Sequence, residues 1–188
     1  MWLCAKVLQR TGDYMSDIEY KYDEKKLKNV IKFMSRNYAV KVGVLAKSKR
    51  GTYEGVDALT VAMQHEFGAY SYQINAYIPR RSYLELTKEK KMEVYKSWLT
   101  SKKEIIYTKI TDGHGEAVLN LIGKKWEAWV KETFMEEGPG WEELHPITIE
   151  KRRIKSRRAA GNETAETFPI LRDTGALMRS ITHEVISD

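Results

Sequence analysis

The sequence holds one cysteine, Cys4, and a single thiol cannot close an internal disulfide. This excludes the disulfide-stapled scaffold of small secreted domains. Long apolar runs are missing too. No stretch approaches the roughly 18 consecutive apolar residues of a membrane span, and the apolar opening Met1–Leu8 is too short for a signal h-region with its cleavage site. These absences predict a protein made and used in a cytoplasm, with no membrane partner. Catalytic signatures are scarce: there is no GxSxG, no phosphate loop and no GxGxxG. His65-Glu66 opens a metalloprotease-like string, but position 69 is Ala69, so the second histidine of HExxH is lacking. His114, His145 and His183 are scattered, and no Cys or carboxylate cluster has metal-ligand spacing. The residues therefore imply no metal, no cofactor and no enzyme. Glu136-Glu137 and Glu142-Glu143, flanking Gly138-Pro139-Gly140, read as solvated loop charge.

What is present is ample core material. The chain has 188 residues, 42% hydrophobic and 11% aromatic, with five Trp and eleven Tyr. That suits one domain with an extended arm. Charged residues make up 31% and the net charge is +6, an excess that permits nucleic acid or acidic protein partners without selecting between them. Met1–Tyr14 is unlike the rest of the chain and reads as an arm or as the product of an upstream start, with the domain opening at Met15. Ile18, Tyr20 and Tyr22 alternate like a strand. Asp23 then caps a helix whose Leu27, Val30, Ile31 and Met34 form an apolar stripe.

A strand follows at Ala39–Leu45, with Val40, Val42 and Val44 on one face, then a polar basic loop or hairpin tip at Lys47–Glu54. The next helix spans about Asp57–Phe67, with Leu59, Ala62, Met63 and Phe67 inward and Gly68 at its end. After an aromatic segment at Tyr70–Ile78, Pro79 breaks the chain. One long helical pattern runs from Tyr83 to about Tyr107, and a second covers Glu116–Phe134. Ile181, His183 and Val185 alternate as a closing strand. Before it stands a basic run in which Lys151, Arg152, Arg153, Lys155, Arg157 and Arg158 fall within eight residues. As a helix this run would be capped by Thr148 and could neutralise phosphates without reading sequence. Contact with an acidic neighbour, or plain solvation, is the favoured alternative. Mutual repulsion of the cations and the small polar stretch Ala159–Thr167 predict a mobile loop at about 149–167.

Several segments together carry a resemblance. In order they are Ala62-Met-Gln-His65-Glu66-Phe67-Gly68; Ile78-Pro79-Arg80-Arg81-Ser-Tyr83-Leu84; Trp141-Glu-Glu-Leu144-His-Pro-Ile-Thr148 with Lys151; and Pro169-Ile-Leu171-Arg-Asp173-Thr174-Gly175-Ala-Leu177-Met-Arg-Ser180-Ile181. The chain resembles the virion-morphogenesis and tail-completion family of tailed bacteriophages over about residues 18–187. Tyr83 stands where that family usually has Phe, and Met1–Tyr14 has no counterpart in it. The resemblance implies a structural neck protein of the virion, assembled in the host bacterial cytoplasm. It would form a homo-oligomeric ring, of hexameric order, that meets a tail terminator or tail tube protein and a head-completion or connector protein, with nonspecific contact to packaged DNA. The rival reading is a sequence-nonspecific DNA-binding protein using Lys47–Arg50 and Lys151–Arg158. Pro79, Thr174 as a cap and Gly175 as a close-passing turn take fold-defining roles. The expected fold is α+β: a small, mainly antiparallel sheet with an N-terminal helix and two long helices packed on one face.

Overall fold

A computed structural model of the chain describes residues 23–45, 52–53, 56–72, 75–138, 140–160, 168–173 and 175–188. The arm at 1–14, the strand near Ile18–Tyr22, the Lys47–Arg50 loop and the Thr174 cap lie outside the described residues. The described chain is α+β, as its two hydrophobic periodicities require. Asp23 starts α1 (Glu24–Met34), its carboxylate accepting the N–H groups of Lys25 and Lys26 at 3.1 Å. The strand β1 (Tyr38–Val44) is followed by a short ribbon, β2 (Thr52–Tyr53) with β3 (Val56–Asp57). Asp57 caps α2 (Ala58–Phe67) through the N–H of Thr60, and Gly68 ends it at φ 78.

A hairpin of β4 (Ala69–Ser71) and β5 (Ala76–Ile78) leads to α3 (Leu84–Ser101), α4 (Lys103–Thr111) and α5 (Gly115–Met135). The chain closes with α6 (Pro146–Ala160), α7 (Ala176–Ser180) and β6 (Ile181–Ser187). β6 returns antiparallel to β1, with Val40, Val42 and Val44 opposite Val185, His183 and Ile181. The alternating valines thus find the alternating residues of the closing strand, one face turned to the core.

The small antiparallel sheet is present, divided among the described residues into three two-stranded ribbons. Of the long helices, α5 makes the main contact with the β1–β6 ribbon, while α3 packs chiefly on α5 and reaches β1 through Leu84, and α1 packs chiefly on α4. Two expectations about these elements need correcting. The long pattern from Tyr83 to Tyr107 is two helices, broken at Lys102: α3 packs chiefly on α5, and α4 on both α1 and α5. Finally, α1 faces the fold with Asn29, Val30 and Phe33, while Leu27, Ile31 and Met34 are exposed. Asn29 fixes that rotation by donating to the Thr111 carbonyl at 2.7 Å, and the Phe33 ring stacks on Tyr38 at 4.9 Å.

The core gathers Ala62, Tyr83, Val130, Phe134, Leu171, Leu177 and Ile181, with Leu84 and Trp141 packed against it. Tyr83 meets Phe134 with ring centroids 4.7 Å apart. Between α3 and α5, the fully buried hydroxyls of Thr87 and Thr133 pair at 2.6 Å, so two polar groups satisfy each other inside the interface. Further along, Tyr95, Trp126 and Trp129 form an aromatic seam.

Gly123 lets α5 sit close on β6, because the His183 ring crosses it to reach the Glu127 carboxylate at 2.9 Å. A Cβ at Gly123 would fall 2.3 Å from that ring. In an exposed helix Gly→Ala gains about 1 kcal/mol. Here Gly123→Ala is expected to lose about 1–3 kcal/mol through overpacking, measured as a lower urea midpoint with an unchanged m-value.

Candidate functional site

Glu66 is the hub of the site. It is buried on the inner face of α2, and its carboxylate covers the start of α3. Oε2 accepts the N–H groups of Tyr83 and Leu84 at 3.0 and 3.1 Å, and Oε1 accepts the Ser82 hydroxyl at 2.5 Å and the Glu85 N–H at 3.3 Å. Tyr83, the residue in the N-cap position, offers no side-chain cap of its own. A carboxylate from a different helix therefore supplies what the first turn of α3 lacks, and its charge opposes the positive end of that helix. To deliver Glu66 inward, α2 must turn Ala62 and Glu66 to the core. Leu59, Met63 and Phe67, expected inside, consequently face out at 38%, 53% and 67% exposure.

The arginines after Pro79 lock the neighbouring segments to this hub. Arg80 Nε donates to the Glu66 carbonyl at 3.0 Å, and its guanidinium pairs with Glu85. Arg81 is buried: its N–H donates to the His65 carbonyl at 2.7 Å, and its side chain donates to the carbonyls of Glu142 and Glu143 at 2.9 and 2.7 Å. Trp141 Nε1 donates to the Ser82 carbonyl at 3.3 Å. Segments far apart in sequence thus meet through one chain of hydrogen bonds. The resemblance contained Arg81 without giving it a role, and no spacing signal marks a side chain that reaches two carbonyls in a distant loop.

Beside the hub lies a cleft of about 350 Å³, walled by α2, β5, one face of α6, and the Leu171–Leu177 segment. His65, Pro79, Arg81, Leu144, Thr148, Lys151, Asp173, Gly175 and Leu177 line it, so most of the residues singled out in the sequence come together here. Phe67 points away, and Gly68 serves the backbone: the Tyr77 hydroxyl occupies the place a Cβ would take. Gly175, at φ 68, forms the left-handed turn that starts α7. His65 is held neutral, its pKa pushed down to about 4 by burial and by the charges of Arg81 and Arg152. Its Nδ1 is buried with no hydrogen-bond partner among the described residues.

The basic run differs from the loop expected at 149–167. It is helical to Ala160, and residues 161–167 lie outside the described residues. His145, not Thr148, caps α6, its Nδ1 accepting the Ile147 N–H at 3.2 Å, while Pro146 opens the first turn. Repulsion along the run is relieved by partners. Arg152 donates to the Pro169 carbonyl at 2.6 Å and lies 3.7 Å from Asp173, Lys155 reaches Asp173 at 3.1 Å, and Arg153 pairs with Glu150 at 3.3 Å. The cations at 151, 152 and 155 share the face of α6 that borders the cleft. The side chains of Arg157 and Arg158 lie outside the described residues.

Among the described residues no group of three or more His, Cys, Asp or Glu is placed to hold a metal ion, and no helix is long and apolar enough to cross a membrane. Comparison with protein-family models, with curated proteins and with solved structures finds no match to this chain.

Two outcomes test the hub. Glu66→Ala leaves the first N–H groups of α3 without their acceptor, and is expected to cost at least about 3 kcal/mol at roughly 1–3 kcal/mol per orphaned group, read from denaturant unfolding. For His65 the folded pKa of about 4 lies below its ordinary 6.5, so the unfolded chain takes up the proton first. Stability tied to neutral His65 is therefore complete above pH 6.5 and drains as pH falls toward 4. The difference between the wild type and His65→Gln should change by on the order of 2–3 kcal/mol across that window.

Proposed function

We propose that this chain is a structural neck protein of a tailed bacteriophage, of the tail-completion type. In this reading it works as a homo-oligomeric ring that joins the tail to the head connector. One observation carries the reading: the segments that resemble that family are interlocked at a single hub. Glu66, Arg80, Arg81 and Trp141 tie three of them together, and Asp173 and Gly175 bring the fourth to the same cleft. Residues that recur together for catalysis would be expected to aim reactive groups at a shared point. Here most are spent on capping, bracing and turning the chain, as a scaffold that must hold its shape in a ring requires.

The outer surface supports the same reading. Leu59, Met63 and Phe67 lie one helical turn apart on the exposed face of α2. The hairpin that comes directly after it adds exposed Tyr70, Tyr72 and Tyr77, with Tyr70 and Tyr77 paired across the strands. Apolar and aromatic groups gathered on one exposed region mark an association surface more often than a solvated one. Neighbouring subunits of the ring, tail and connector would cover such surfaces, with packaged DNA passing through the ring.

Electron microscopy and sedimentation of the purified chain, alone and with tail and connector proteins, test the proposal. Rings or discrete complexes are expected. The double substitution Met63→Asp with Phe67→Asp should abolish them while changing subunit stability by no more than about 0.5 kcal/mol, as for exposed positions. A chain that stays monomeric with every neck and tail protein, yet binds plain duplex DNA with steep loss of affinity in salt, would instead establish the sequence-nonspecific DNA-binding reading.

A further inference from the structure

Two exposed apolar surfaces of the described chain differ in charge. On α1, Leu27, Ile31 and Met34 recur at helical spacing along one side and are 48%, 58% and 77% exposed. Residues 23–36 carry five exposed cations, Lys28 and Lys32 among them, against the exposed carboxylates of Asp23 and Glu24. The second surface joins the outer side of α2 to the β4–β5 hairpin. Residues 57–78 contain no lysine or arginine. Their two carboxylates are Asp57, which is exposed, and Glu66, which is buried against the start of α3. One surface is thus aliphatic and cationic, the other largely aromatic and without a cation of its own.

The aromatic surface is held in shape before any partner arrives. Tyr77 lays its hydroxyl against Gly68, the residue after Phe67, so the hairpin continues the apolar side of α2. Tyr70 donates to Asn75 at 2.6 Å and meets Tyr72 edge-on at 5.0 Å. Rings fixed in this way lose little freedom on binding, and their faces attract ammonium groups. Lys28 and Lys32 each follow a residue of the α1 stripe and therefore flank it on one side. Lys28 also reaches Glu24 at 3.3 Å, an exposed pair of the weak kind that gives way to a better partner. Phe67, Tyr70, Tyr72 and Tyr77 are between 48% and 89% exposed, and at roughly 150–250 Å² per aromatic side chain they alone offer on the order of 500 Å². Leu59, Met63 and the α1 stripe bring the two surfaces together to about the 1,000 Å² that a specific interface clears.

We propose that the α1 stripe of one copy docks on the α2–hairpin surface of a second copy, a head-to-tail contact between two unlike faces of the same chain. Setting α1 against α1 would press lysines on lysines, which like charge opposes. Setting α2 against α2 would leave the α1 stripe bare. The unlike pairing covers both surfaces and faces the cations with aromatic rings and Asp57. It repeats from copy to copy and closes into a ring when the rotation allows. The inference rests on the ring reading in taking a second copy as the occupant.

The test uses two variants of the whole chain, each with one surface disabled. Ile31→Asp with Met34→Asp removes the α1 stripe, and Met63→Asp with Phe67→Asp removes the α2 surface. By sedimentation each variant alone should be monomeric, and a one-to-one mixture should form dimers and nothing larger, since one working face of each kind remains. If either Asp pair unfolds the chain, serine at the same positions takes its place. Lys28→Gln with Lys32→Gln should weaken self-association about tenfold with thermal unfolding unchanged, as loss of cation–π contacts requires. Several results overturn the proposal: self-association of either single-surface variant, a mixture that stays monomeric, or indifference to the lysine substitutions. Self-assembly of the Ile31→Asp, Met34→Asp chain like wild type would mean that something other than a second copy covers α1. Assembly with tail and connector proteins is scored separately. Wild-type rings or neck complexes with no dimer in the mixture would sink this contact and leave the neck reading intact. Dimers in the mixture without any association with neck proteins would do the reverse.

Discussion

The described structure depends on a buried carboxylate placed over a helix end. Glu66 takes three backbone N–H groups and one hydroxyl at the start of α3, and no side chain within α3 does this work. The arrangement fixes several things together. It sets the rotation of α2, because only one face can carry both Ala62 and Glu66 inward. It fixes where α3 begins, and through α3 the register of the Thr87–Thr133 pair against α5. Burying a carboxylate is costly unless its lone pairs are met, and four donors meet them here. The hub therefore favours one arrangement of these segments over looser ones.

That constraint produces the division between an inner and an outer apolar surface. Both α1 and α2 carry more apolar residues than a single face can bury. In α2 the polar contact at Glu66 decides which stripe goes inside, leaving Met63 and Phe67 out. In α1 the bond from Asn29 to Thr111 has the same effect, leaving Ile31 and Met34 out. In both helices a hydrogen bond sets the rotation, and the leftover hydrophobic surface is exposed.

The same constraint explains which parts were legible in the sequence. Elements governed by local chemistry were: Asp23 as a cap, Gly68 as a stop, the alternating valines of β1, the closing strand and the second long helix all stand where their patterns put them. Inward and outward faces were not, because α2 offers two apolar stripes and periodicity alone cannot rank them. The break at Lys102 carries no Gly or Pro to announce it, and it falls where the main packing partners change. A helix in the basic run could be raised from the sequence but not ranked above a loop, because the relief of its charge comes from Asp173 and Pro169, beyond any local window. Of the candidate site, the residue names were legible through the resemblance, but not their arrangement. Arg81 acquires its role only when the Glu142–Glu143 carbonyls are brought to it.

The pairing of β1 with β6 has a consequence for biosynthesis. The strand that β1 needs is the last element of the described chain, and the helix beneath both, α5, emerges well before that strand does. While the ribosome is still adding the residues between them, the valines of β1 have no partner strand and the sheet-facing side of α5 has no cover. Such long-range closure is slow and leaves apolar surface and strand edges open to intermolecular contact. The ribbon therefore closes only after residue 187 is free to pair with Tyr38, which separates in time the synthesis of α5 from the covering of its sheet-facing side.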